Sequence, residues 1–145
     1  MTKAYRGTKV AWAKTQTKIV KLLTSKKIFE TRFTNLQDKF VLEFRATNEA
    51  KPVAIRIIVP LKTQSTENKQ QQELNIMHRV LFHHIKAKFI AIECGLTEFM
   101  EEFMPHLIIM DKNGNSTTMG QTLLPQYKES LESGKQKPFL LGDGN

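Results

Sequence analysis

No aspartate or glutamate occurs before Glu30, although the same stretch carries Lys3, Arg6, Lys9, Lys14, Lys18, Lys21, Lys26 and Lys27. Those eight cations equal the whole formal net charge of +8, because the other 22 − 8 = 14 basic residues are balanced by 14 acidic ones. Cysteine is nearly absent. Cys94 by itself cannot form an intrachain disulfide, which excludes a disulfide-stapled secreted scaffold, and it reads as a small core residue in a reducing interior. No apolar run approaches the ~20 residues that span a bilayer, and the N-terminus lacks the continuous apolar stretch of a secretory signal. A membrane partner is therefore not expected, and a cytoplasmic location is. Organelle transit peptides share an acid-free amphipathic start but are rich in Arg and Ser, whereas Arg6 and Ser25 stand alone in this one. Also missing are the Gly-rich phosphate loops and the Gly-x-Ser-x-Gly nucleophile elbow. ATP use and serine hydrolysis thus have no support, and no cofactor is called for.

The 145 residues, 40% of them hydrophobic, suffice for one domain with a core of its own. Residues 1–133 are expected to form that domain, with 134–145 a loosely ordered tail in which Phe139, Leu140 and Leu141 could dock. The expected class is α+β. Residues 8–25 predict a basic amphipathic helix: Trp12, Ile19 and Leu23 fall within about 40° of one another, and Lys14, Lys18 and Lys21 cluster opposite. Alternation predicts strands at 28–34, 39–46 and 53–60, with Phe29, Thr31 and Phe33 facing inward in the first. Turn residues between them suggest an antiparallel meander. Pairing Ala46 with Val53 sets Phe44 against Ile55, Leu42 against Ile57 and Glu43 against Arg56, so polarity matches throughout.

A polar, glutamine-rich loop then leads into a helix near Thr66 or Glu67. From Leu74 to Ile92 apolar residues cover most of the circumference, leaving a strip of Asn75, Arg79, Lys86 and Glu93. Such a helix is central, packed on the sheet and flanked by the first helix or by a second subunit. Gly95 suits a C-terminal cap, Thr97 can cap a short helix that Pro105 ends, and Asn113-Gly114 marks a hairpin between strands at 106–110 and 116–119. A last helix is expected over 121–133.

The chemical constellations are weak. His78, His83 and His84 lie at separations that do not place metal ligands on one helical face, so they read as structural. Glu93, Glu98, Glu101 and Glu102 interleave with Phe99, Met100, Phe103 and Met104, the pattern of an amphipathic helix whose acids face solvent or a basic partner. The order helix, three strands, helix, strand resembles the restriction-endonuclease-like core, whose metal site needs an acid followed by an acid-x-Lys pair. The nearest match is Glu30 with Glu43-Phe44-Arg45, where arginine replaces the lysine. The order also resembles the double-stranded-RNA-binding domain, but Lys86 and Lys88 sit in mid-helix rather than at the helix start that family uses. From about His78 to Gln126, across KAKFIAIECGLTEFMEEFMPHLI and the NGN turn, the chain resembles small uncharacterised proteins of tailed phages and integrated mobile elements. That resemblance implies a mobile-element setting and brings no site residues.

An acid-free cationic block usually meets polyanions. The expected function is non-enzymatic nucleic-acid binding of low sequence specificity, DNA or RNA with single strands favoured, carried by Lys14, Lys18 and Lys21 with Lys3, Arg6, Lys9, Lys26 and Lys27 around them. Tyr5 and Trp12 are candidate stacking groups, Trp12 the weaker because its angle points coreward. Arg32, Arg45 and Arg56 share one sheet face as a second candidate contact, diluted by Glu30 and Glu43. The alternatives are a homo-oligomer or assembly subunit using the apolar helix and the Phe99–Met104 segment, and a metal-dependent nuclease.

Overall fold

Alternating side chains in three consecutive segments build an antiparallel meander, β1 (Glu30–Asn35), β2 (Lys39–Asn48) and β3 (Lys51–Pro60), in the order β1-β2-β3. The structure is a computed structural model that describes residues 11–134; Lys3, Tyr5, Arg6, Lys9 and the Phe139–Leu141 segment lie outside them. The predicted register holds, with Ala46 opposite Val53, Phe44 opposite Ile55, Leu42 opposite Ile57 and Glu43 opposite Arg56. Matching polarity at every pair leaves only this alignment with one buried face. The β2–β3 turn is Glu49-Ala50, both at positive φ (51° and 66°), a two-residue hairpin made without the usual glycine.

Two helices cover the inward face: α1 (Trp12–Ser25) and the 27-residue α2 (Glu67–Glu93). Thr66 caps α2 by accepting from the Lys69 amide. The helices run parallel. Trp12 N donates to Asn75 Oδ1 at 2.9 Å near one end, and Lys26 Nζ meets Glu93 Oε2 at 2.6 Å near the other. The polar strip of α2 thus follows its seam with α1. Ile19 and Leu23 are fully buried with Phe40, Leu42, Ile55 and Ile85. At the centre His78 stacks on Phe40, with ring centroids 3.8 Å apart, and packs against Trp12. Gln16 Nε2 donates to His78 Nε2 and His78 Nδ1 donates to the Leu74 carbonyl, which together define a neutral imidazole.

Beyond α2, the chain forms α3 (Phe99–Phe103), a 3-10 turn at Met104–His106, a hairpin of β4 (Ile108–Met110) and β5 (Ser116–Thr118), and α4 (Met119–Glu132). The whole is α+β, with a single bridge between Ile55 and Leu107 tying the hairpin to β3. Gly120 lies so close to the 3-10 turn that a Cβ there would sit 2.8 Å from the Pro105 carbonyl oxygen.

Several expectations are corrected. Cys94 is exposed, not a core residue, because α2 ends beneath it and Gly95 turns the chain away at φ 81°. Thr97 does not cap α3; Glu98 does, in a capping box with Glu101, while Thr97 Oγ1 donates to Glu102. Phe29 points outward. The α1 terminus is a Schellman turn with Lys27 at φ 64°, in which the Ile28 amide bonds the Leu23 carbonyl at 3.0 Å. Ile28 is thereby held against Leu23 in the core, and the next residue, Phe29, is 74% exposed.

Because Ile19 anchors α1 on both the sheet and α2, Ile19→Ala should cost about 2–5 kcal/mol of unfolding free energy in urea titration. A loss below about 1 kcal/mol would mean that α1 is not integral to the core.

Candidate nucleic-acid interface

Burying Ile19 and Leu23 turns the opposite face of α1 to solvent, and Lys14, Lys18 and Lys21 are exposed on it. Among the described residues, these three and the exposed Lys27 form no salt bridge. Lys26 differs: it pairs with Glu93 and lies 5.8 Å from the centroid of the Phe89 ring, so it belongs to the α1–α2 seam. Trp12 is likewise engaged inward with His78.

Across the seam, α2 contributes cations the sequence reading left out of the site. Arg79 and Lys86 lie four residues before and three after His83, on one helical face. His83 is held below its ordinary pKa by burial first, then by the positive charges of Arg79, Lys86 and Lys18. Lys18 of α1 and Arg79 and Lys86 of α2 therefore all act on this one ring. The sequence signal was the Arg79–Lys86 spacing; what it lacked was the parallel placement of α1.

The arginine face of the sheet is different. Glu43 Oε1 accepts from Arg32 Nε at 2.9 Å and Glu43 Oε2 from Arg56 Nε at 3.0 Å, while Arg45 pairs with Glu30 at 2.7 Å. Burial raises the Glu43 pKa, but hydrogen bonds and charge from Arg32 and Arg56 outweigh it, leaving a net lowering. Three guanidiniums thus meet two carboxylates, and this face carries little net field.

Near α3, Glu102 is also partnered: Lys88 Nζ donates to its carbonyl at 2.8 Å and lies 3.4 Å from its carboxylate. Among the described residues no group of three His, Cys, Asp or Glu side chains is placed to hold a metal ion. No helix among them is long and apolar enough to cross a membrane. No protein-family model, curated protein or solved structure matches the chain.

All four histidines are shifted below their ordinary value; His106 falls to about 4, through burial first and then the positive charges of Lys88 and His84. The unfolded chain then binds more protons than the folded one, so stability is full above the ordinary histidine value, about 6.5, and is lost as pH falls below it. Unfolding free energy should therefore drop between pH 7 and pH 5, and His106→Gln should flatten part of that slope. An unchanged slope in the variant would rule His106 out as a contributor.

Proposed function

We propose that this protein is a non-enzymatic nucleic-acid-binding protein of low sequence specificity, holding the phosphate backbone on the face shared by α1 and α2. The observation that carries this reading is that Lys14, Lys18 and Lys21 are exposed without a carboxylate partner among the described residues, beside Arg79 and Lys86. Cations that a fold leaves unneutralised on one rigid face attract polyanions and release their counterions. The resemblance of residues 78–126 to phage and mobile-element proteins suggests the setting. The metal-dependent nuclease reading has less support, because both oxygens of Glu43 are taken by guanidiniums.

Five cations in contact with phosphates give a slope of log K against log salt of about −3.5 on single strands or about −4.5 on duplex. Changing Lys14, Lys18 and Lys21 together to Gln should reduce the single-strand slope to about −1.5 while the circular dichroism spectrum is retained. A wild-type slope near zero would reject the reading.

A second reading rests on α4. None of its residues is buried, and Leu123, Leu124, Tyr127 and Leu131 are 40–52% exposed. Apolar surface gathered on one helix suits a homo-oligomer contact. Of the surface expected at α2 and Phe99–Met104, Ile90 and Met104 stay exposed while Phe103 is fully buried, and Met104 lies beside Leu123 and Tyr127 of α4. Light scattering should return about twice the 16.7 kDa chain mass, and Leu124→Glu with Leu131→Glu should restore the monomer. A monomeric wild type at high concentration would reject self-association.

A further inference from the structure

Phe29 is the most exposed aromatic ring among the described residues, at 74%, and it is not on a loosely tethered loop. The Schellman turn after α1 fixes Ile28 in the core, and β1 starts at Glu30, so Phe29 is held between two anchored neighbours. Phe29 lines an open groove of about 430 Å³ on the outward sheet face, together with Arg32, Arg45, Glu30 and Glu43. The guanidinium-bearing side chains of Arg32 and Arg45 are 72% and 61% exposed. Lys27, exposed and without a salt bridge among the described residues, precedes the ring by two residues.

A flat apolar ring with cationic groups beside it supplies what one nucleotide needs: a stacking surface for the base and a positive partner for its phosphate. The two carboxylates do not close the groove to an anion. Glu43 is already shared by two arginines, and Glu30 is 63% exposed, so its contact with Arg45 is screened by water and open to exchange. Bases in a duplex are stacked on one another and cannot reach such a ring, whereas those of a single strand can be splayed onto it.

We propose that Phe29 is a base-stacking platform, and that the groove beside it takes a nucleotide of a single-stranded nucleic acid, base against Phe29 and phosphate against Arg45. This rests on the nucleic-acid reading of the α1–α2 face and adds to it the residues that would favour single strands. Phe29 replaces Trp12, whose ring faces His78, as the stacking group.

Binding of fluorescein-labelled dT20, rU20 and a 20-base-pair duplex is measured by anisotropy at low salt. Phe29→Ala should weaken binding of at least one of the two single strands about tenfold and of the duplex less than twofold. Phe29→Tyr should restore it, and Arg45→Gln should reduce the single-strand salt slope by about 0.7. Equal affinity of Phe29→Ala and wild type for both single strands would overturn the platform, as would an equal loss on duplex. If the Lys14, Lys18 and Lys21 triple variant loses binding in that same experiment, the α1–α2 reading survives without the platform. A wild type that binds none of the three probes overturns both.

Discussion

The burial of Ile19 and Leu23 between the sheet and α2 is the contact on which the rest depends. A helix with one apolar stripe has one way to dock, and docking that stripe aims the residues opposite it at solvent. The lysines of α1 are therefore presented by the core itself. The polar strip of α2 then serves the seam at both ends, Asn75 satisfying the Trp12 amide and Glu93 the Lys26 ammonium. Between these ends Arg79 and Lys86 remain to extend the positive surface.

The two basic faces of the molecule differ above all in what surrounds their cations. In the sheet, cross-strand neighbours lie about 5 Å apart, so Glu43 is caught between Arg32 on β1 and Arg56 on β3. On α1 no acid lies within the helix to make such a pair. One face has most of its charge cancelled locally, and the other keeps it. Phe29 sits where the α1 terminus passes into the sheet.

Much of the architecture was legible in the chain. The β2–β3 register followed from Phe44, Ile55, Leu42 and Ile57, because a pleated strand has a strict period of two and only one alignment buries a single face. The start of α2 near Thr66 or Glu67 and the Gly95 stop were also legible. Phe29 was not, because the left-handed residue that reverses the expected alternation is Lys27, and nothing in a lysine announces φ 64°. Cys94 was misjudged because it ends an apolar helix, yet as the residue that closes α2 it is left exposed. Tyr5, Lys3, Arg6 and Lys9 fall outside the described residues.

The order of side chains by itself determined the element types, the meander register and the acid-free charge of the first 29 residues, since periodicity and composition are local properties. Only the tertiary structure decided that α1 lies parallel to α2, that Arg79 and Lys86 come near Lys18, that Lys26 and the sheet arginines meet carboxylates, and that Phe29 faces outward. Those outcomes depend on which groups far apart in the chain come within a few ångströms of one another. Charge pairing and exposure are set at that range, and no sequence pattern reports it.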